Sequence, residues 1–283
     1  MQTASPQVRV PSFPMVLRKG WTFSAGFAAI AVLCSAAGAA DLLPHRAIYD
    51  MRLGVAKRGS TILDVRGAMV IETGESCDGW EVNQRMRLTY SRSDSEQVEA
   101  DSSYASFESK DGQNYRFTVR NIEDGSPDEQ LRGTATFENG RGEGRAVFNE
   151  PERKEFVLPK GTLFPTAHTA ALIDRAKAGD FSLFRPVFDG GRLEGAFDVN
   201  AIITGSEPRA TTEVKHGLLQ NQKLWVVHLA FFPTVKGEDQ PEYEMTVELL
   251  ANGVARAITL DYGDFTVQGR LASIDDLPRP KCK

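Results

Sequence analysis

Cysteine and histidine are scarce in this sequence, and long apolar segments are missing after the first forty residues. Three cysteines in 283 residues exclude a small scaffold held by many disulfides. The four histidines never lie three or four positions apart, which argues against a histidine-rich metal site. No Gly-x-Ser-x-Gly or His-Glu-x-x-His motif is present, so the usual signals of serine hydrolases and zinc proteases are lacking. The 41% hydrophobic and 25% charged content is that of a globular protein.

Residues 1–40 have the organisation of a cleavable secretory signal peptide. Three basic residues and no acidic one precede or flank an apolar run of about fourteen residues from Trp21 to Cys34, and small residues follow up to Ala40. A membrane anchor needs about 20 apolar residues, so cleavage near Ala39 or Ala40 is favoured over retention. Cys34 lacks the preceding small residue and upstream leucine of a lipoprotein cysteine. We therefore expect an exported chain of residues 41–283, folded as a single domain and not membrane-spanning after cleavage.

Loss of the leader makes the chain more acidic. The full sequence has 33 basic and 38 acidic side chains, and the first forty residues hold three basic and no acidic ones. The mature chain then keeps 30 basic and 38 acidic side chains, a net charge of −8. Such a surface has no global attraction to nucleic acid, so no nucleic-acid partner is expected.

Two cysteines remain after cleavage, Cys77 and Cys282. An even pair in an oxidising compartment predicts a disulfide, which would hold down the C-terminal tail. The rival interpretation is a redox-active pair, but the sequence has no Cys-x-x-Cys motif. A structural disulfide is therefore preferred.

Period-two alternation dominates the mature chain and predicts an all-β fold. About fourteen short strands can be counted, with turn signals such as Asp111-Gly112 and Asn252-Gly253 between them. The predicted strands include Leu193–Ser206 and Ala210–His216. With no linker or internal repeat in view, the pattern indicates one extended antiparallel sheet that curls into an open or closed barrel.

One segment breaks the alternation and predicts the single α-helix, near 166–178. Pro165 precedes it, Gly179 follows it, and alanines fill it, which is the usual punctuation and composition of a helix. His168 lies in its first turn. This histidine is a candidate for orienting a substrate or acting as a base, but packing against the sheet is the preferred explanation because no cysteine or serine nucleophile signal lies nearby.

Arginines occupy one parity of successive predicted strands, and aromatic or aliphatic residues occupy the other. The arginines are Arg52, Arg66, Arg85, Arg87, Arg116 and Arg120; the apolar set includes Tyr49, Met51, Met86, Leu88, Tyr115 and Phe117. A solvated outer face explains the arginines most simply. The alternative is an apolar concave lining for a lipidic or peptidic ligand, with arginines at its rim for an anionic group.

Together these residues resemble the EipB family of cell-envelope integrity proteins. The resemblance rests on the leader, the opening Leu43–Tyr49 (LPHRAIY), the segment Leu158–His168 (LPKGTLFPTAH) and the Cys77/Cys282 pair. It implies a Gram-negative periplasmic protein with a strongly curved, spiral-like sheet of about fourteen strands, one helix and one internal disulfide. It implies a role in envelope integrity without known catalysis, so no catalytic, cofactor or metal residue is carried over.

The expected function is therefore periplasmic and non-enzymatic. The expected partner is an envelope lipid, a lipoprotein, a peptidoglycan fragment or a periplasmic protein, and no cofactor is expected. The alternative hypothesis is an envelope hydrolase that uses His168 with an unidentified carboxylate.

Overall fold

A computed structural model describes residues 40–93, 97–137, 142–193, 195–205, 214–234 and 240–282. Apart from Ala40, the predicted leader lies outside these residues. The described part of the chain contains fourteen strands, one α-helix and one short 3-10 turn at Gly217–Leu219. The elements in chain order are β1 (His45–Ala56), β2 (Ile62–Glu75), β3 (Gly79–Arg92), β4 (Val98–Ser109), β5 (Asn114–Glu123), β6 (Ser126–Phe137), β7 (Gly144–Glu150), β8 (Lys154–Leu158), α1 (Pro165–Ala178), β9 (Ser182–Val187), β10 (Phe197–Gly205), β11 (Leu224–Pro233), β12 (Tyr243–Leu250), β13 (Ala255–Asp261) and β14 (Phe265–Asp276).

All fourteen strands belong to one antiparallel sheet, as the sequence predicts. Strands β1 to β8 run in sequence order along one half, β9 to β14 run along the other, and β1 pairs with β14 to join the halves. The outermost strands are β8 and β9, so the sheet does not close by strand pairing between its ends.

The two halves nevertheless meet through the segment between β8 and α1. The backbone N–H of Leu163 donates to the carbonyl oxygen of Pro186 at 2.9 Å, and the N–H of Phe188 donates to the carbonyl oxygen of Leu163 at 3.0 Å. This single parallel bridge attaches the chain leaving β8 to the edge of β9. We call this meeting line, formed by Leu163 and residues 186–188, the seam.

Side chains alternate between the two faces of the sheet, as the parity of the sequence predicts. In β5, Tyr115, Phe117 and Val119 are buried, whereas Arg116 and Arg120 are exposed. The six arginines singled out in the sequence are all exposed and lie on the solvated outer face, where several pair with carboxylates. Hydrogen bonds from two such arginines, Arg85 and Arg87, lower the pKa of Asp101 to about 2.

Aromatic rings fill the interior next to the seam. Phe164 stacks on Tyr115 with ring centroids 4.7 Å apart, and Phe188 lies edge-on to Phe117 at 5.6 Å. Phe188 belongs to the seam and Phe164 directly follows Leu163, whereas Tyr115 and Phe117 belong to β5. Burial of these rings stabilises the curled sheet because each removes a large apolar area from water.

Helix α1 begins one residue earlier than predicted, at Pro165, and ends at Ala178 as expected. Proline is favoured at this first position because its missing N–H would have no partner within the helix. Gly179 takes the left-handed conformation that ends the helix, with φ of 81°. Leu172 and Ile173 are buried among apolar residues of β9 to β12, so the helix packs on the half of the sheet that follows it.

The C-terminal tail returns to the N-terminal end of the described chain. Cys77 and Cys282 are joined by a disulfide with a Cα–Cα distance of 5.6 Å, across 205 positions of sequence. The N–H of Leu277 donates to the carbonyl oxygen of Pro44 at 3.1 Å, and Arg279 forms an ion pair with Asp41 at 2.9 Å. The tail is therefore held by noncovalent contacts as well as by the disulfide.

The predicted strand count is right, but three assignments within it differ. The structure has a strand at Lys154–Leu158, β8, that is not among the predicted strands. In the predicted strand Ala210–His216, residues 214–216 are not in a strand, and the rest lies outside the described residues. The predicted strand Leu193–Ser206 is observed as Phe197–Gly205, and residues 195 and 196 before it are not in a strand.

Candidate functional site

A cleft of about 400 Å³ lies beside the seam. It is lined by residues of α1 and β9, by the start of β3, by the end of β4 and the turn that follows it, and by the N-terminal segment. Its apolar wall residues include Ala40, Leu42, Trp80, Leu163, Ala170, Ala171 and Leu183. We call this the seam cleft.

The charged side chains of the seam cleft are mostly basic. Lys110, Arg175 and Arg185 line it together with two acidic residues, Glu108 and Asp174. Lys110 pairs with Glu75 at 2.7 Å and Arg175 pairs with Asp180 at 2.7 Å, which satisfies both cations. The guanidinium of Arg185 donates to the carbonyl oxygen of Phe184 at 2.9 Å and has no acidic partner among the described residues.

Glu108 is buried, and its carboxylate is occupied by the helix. Its two oxygens accept hydrogen bonds of 2.8 Å each from the backbone N–H groups of Thr166 and Ala167. The first turn of a helix leaves such N–H groups without partners inside the helix, and an anion is favoured there by the helix dipole. Glu108 of strand β4 therefore caps α1, and the N-terminus of the helix in turn stabilises the negative charge of its carboxylate.

Asp174 carries an oxygen that has no hydrogen-bond donor. Its Oδ1 is shielded from solvent and makes no hydrogen bond within the described part of the chain. An acceptor in that position is costly unless it is paired. Oδ1 is therefore an unsatisfied acceptor inside the fold, and a ligand in the seam cleft does not reach it.

His168, the candidate base of the hydrolase hypothesis, is enclosed by the fold. Only 6% of its surface is exposed, and its Nε2 has no hydrogen-bond partner among the described residues. Burial alone lowers the pKa of His168 to about 4. The carboxylate oxygens of Glu108, which caps the same helix, accept hydrogen bonds from the backbone N–H groups of Thr166 and Ala167. The structure thus supplies a packed, neutral histidine at this position.

A second polar group lies inside the curled sheet and was not indicated by any sequence pattern. The hydroxyl groups of Tyr104 and Tyr115 contact each other, and both donate to the carbonyl oxygen of Asp189, at 3.3 and 3.1 Å. Burial raises the pKa of both tyrosines and, as the largest of several causes, that of the Asp189 carboxyl. These bonds fix the loop between β9 and β10 against β4 and β5. The pairing depends on tertiary contact across 74 to 85 positions of sequence, which no local motif reveals.

The apolar residues considered for a concave ligand lining are occupied by packing. Leu88 and Phe117 are 1% and 3% exposed, and Met86 is partly buried against the cluster that contains Leu88. Neighbouring side chains of this chain already fill the space that a ligand would need at Leu88 and Phe117. The seam cleft is therefore the better candidate for binding.

In the described part of the chain, none of the helices has the length and apolar character required to cross a membrane. Within the same residues there is no group of three or more histidine, cysteine or acidic side chains placed to hold a metal ion.

Comparison with known proteins agrees with the fold. The cell envelope integrity protein EipB of Brucella abortus (strain 2308) is 34% identical over 257 residues, covering 89% of each chain. The crystal structure of a beta-barrel-like protein of domain of unknown function DUF1849, also from Brucella abortus, matches with a TM-score of 0.76 and 31% identity. That match covers 85% of this chain and all of the other. The EipB-like family description matches residues 36–278, and this chain belongs to the EipB-like family.

Proposed function

We propose that the mature chain is a periplasmic, non-enzymatic protein that maintains cell-envelope integrity by binding an envelope component. The observation that carries the proposal is the 34% identity to the cell envelope integrity protein EipB across 89% of both chains. A match of this extent includes both halves of the sheet and the helix, so a shared role is a better hypothesis than a shared fold alone.

Binding is supported by the form of the seam cleft. It is a concave cleft that combines apolar residues with a small number of charged groups at defined places, as ligand sites do. The candidate partners are an envelope lipid, a lipoprotein, a peptidoglycan fragment or a periplasmic protein.

The periplasmic location is supported by the leader-like residues 1–40 and by the disulfide between Cys77 and Cys282. Disulfides persist in oxidising compartments and are rare in the cytosol. The non-enzymatic proposal is supported by the buried state of His168, since a general base must reach its substrate.

A deletion strain of the source bacterium tests this proposal. Leakage of a periplasmic marker enzyme in dilute bile salt should rise on deletion and return to normal with the full-length gene. His168→Gln should restore the barrier as well as the wild-type gene does, at equal protein level by immunoblot. A gene that starts at residue 41, without the leader, should fail to restore it.

Two results would contradict the proposal. An unchanged barrier in the deletion strain would remove the envelope role. Failure of His168→Gln at normal protein level would favour the hydrolase alternative instead.

A further inference from the structure

We propose that the protein docks on an anionic lipid bilayer through the corner of the sheet at which β9 begins. Three exposed apolar side chains form this corner, which we call the β9 corner: Phe181, Phe184 and Ile202. The inference rests on the periplasmic location in the proposed function and names one envelope component, the membrane surface. Exposed apolar side chains, an uncovered strand edge and a local excess of positive charge carry it.

The apolar side chains of the β9 corner are exposed side by side. Phe181, Phe184 and Ile202 are 74%, 56% and 51% exposed. Ile202 of β10 lies opposite Ser182, two residues from Phe184 along β9, so Phe184 and Ile202 are diagonal neighbours on one face of the sheet. Phe181 directly precedes β9, and its carbonyl oxygen accepts a hydrogen bond of 2.8 Å from the N–H of Ile203. Apolar groups that gather in this way on a surface mark a place of interaction.

The outer edge of β9 is open at this corner. Strand β9 is at one end of the sheet, and the bridge to Leu163 covers only its last residues, through Pro186 and Phe188. Within the described ranges no strand pairs with the outer edge of Ser182 or Phe184. The corner therefore stands at the rim of the sheet, where a flat surface can approach it.

The surroundings of the corner are basic, although the mature chain has a net charge of −8. Three exposed cations around it form no ion pair in the part of the chain that the structure describes: Lys160, Lys177 and Arg185. Of the nearby acidic residues, Asp180 is paired with Arg175 at 2.7 Å, and Asp198 lies in β10 opposite Pro186. The charge around the corner is therefore opposite in sign to that of the whole chain.

The three cations lie close to the aromatic side chains in the fold. Lys177 is in the last turn of α1, four residues before Phe181, and Arg185 is the neighbour of Phe184. Lys160 belongs to the turn that leads into the Leu163 bridge at the edge of β9. Apolar and cationic side chains thus occur together at one place on the surface.

An anionic bilayer matches both properties of the corner. Aromatic side chains enter the boundary between headgroups and acyl chains, and lysine and arginine beside them meet the phosphates. The free backbone groups of the β9 edge remain at the hydrated headgroup level, because an unpaired N–H or C=O is costly in hydrocarbon. The acidic remainder of the surface is repelled by the same membrane, which fixes the orientation of the docked chain.

Co-sedimentation of the mature chain, residues 41–283, with lipid vesicles tests the inference. The probe vesicles contain phosphatidylethanolamine and phosphatidylglycerol at roughly 3:1, and vesicles of phosphatidylcholine alone are the uncharged comparison. We expect binding to the anionic vesicles at about 0.1 M salt and about tenfold weaker binding to the uncharged ones. Raising the salt to about 0.5 M should also weaken binding, because it screens the attraction between the cations and the phosphates.

Variants locate the docking surface. The double variant Phe181→Ser/Phe184→Ser should bind the anionic vesicles at least about tenfold more weakly, because it loses the apolar contact. Lys177→Gln should weaken binding about fivefold. Leu63→Ser is the matched control, since Leu63 is 61% exposed but lies in β2, in the other half of the sheet. All substituted side chains are exposed, so thermal melts should stay close to that of the wild type.

Absence of vesicle binding by the wild type would overturn the inference, as would equal binding by the double variant and the wild type. A dimer in sedimentation velocity that the double variant loses, without vesicle binding, would assign the corner to a second copy and overturn it too. These results leave the proposed function in place if the gene still restores the envelope barrier. An unchanged barrier in the deletion strain, with vesicle binding intact, would contradict the proposed function alone.

Discussion

Glu108 in β4 and Thr166 in α1 are joined by a hydrogen bond of 2.8 Å from the backbone N–H of Thr166 to Oε2 of Glu108. The two residues are 58 positions apart, and the second oxygen of the same carboxylate accepts from the N–H of Ala167. The helix therefore starts on a charged group that belongs to the other half of the sheet. This contact and the bridge at Leu163 together hold the two halves at the seam.

Glu108→Ala should lower the free energy of unfolding by about 2 kcal/mol. The substitution leaves two helix N–H groups without their acceptor in a buried place, and losing a helix cap typically costs about 0.5–2 kcal/mol. Glu108→Gln keeps one oxygen for one N–H and should show a smaller loss. Urea unfolding followed by circular dichroism measures both, and equal stability of Glu108→Ala and the wild type would show that the cap is unimportant.

Double substitution of Cys77 and Cys282 by alanine should lower the melting temperature and leave a β-rich spectrum. A loop of this length gives a loss of about 5 kcal/mol in the chain-entropy description. The fold should survive because Arg279 and Leu277 hold the tail to Asp41 and Pro44 without the disulfide. Wild-type protein in reducing agent serves as the control and should melt like the variant. A random-coil spectrum of the variant would contradict this account.

The sequence is enough to predict most of the strands, the helix and the disulfide, because each has a local or compositional signal. The alternation in β5 and the proline and glycine around α1 are examples, and the structure places both as expected. The seam could not be predicted in the same way. The contacts of Leu163 with Pro186 and of Glu108 with Thr166 join residues far apart in sequence, and they follow from the total curl of fourteen strands.

The candidate site, like the seam, could not be predicted from the sequence. His168 attracted attention because histidine has useful chemistry, but its burial depends on how α1 docks. Arg185 and Asp174 belong to no sequence motif. Only the fold shows that both line the seam cleft.

Gly190→Ala should destabilise the fold more than another glycine substitution at positive φ. Gly190 has φ of 74°, and a Cβ there would overlap the ring of Phe117. Gly263 has φ of 91° and open space around it, so Gly263→Ala isolates the backbone cost of about 1 kcal/mol. We expect a loss of about 3 kcal/mol for Gly190→Ala, since overpacking adds to the backbone cost. Chemical unfolding of the two variants makes the comparison, and equal losses would mean that the loop yields to the added methyl group.

Acidification should destabilise the protein through His168. Burial lowers the folded-state pKa of His168 to about 4, below its ordinary value of 6.5, so the unfolded chain binds a proton between these values and the folded chain does not. Stability from this group is complete above pH 6.5 and declines as the pH falls towards 4, by about 3 kcal/mol at most. His168→Gln does not titrate, and its free energy of unfolding should fall less between pH 7 and pH 4. If the free energy of unfolding falls by the same amount in the wild type and in His168→Gln, that result would contradict the burial of a neutral histidine.

Native mass spectrometry of the mature chain, after mild cross-linking in living cells, tests the central claim of binding most directly. The account predicts a reproducible mass above that of the disulfide-bonded chain, whose excess identifies a lipid, a wall fragment or a protein partner. The bare chain alone, from cells with an intact and actively growing envelope, would contradict the claim that the protein acts by binding.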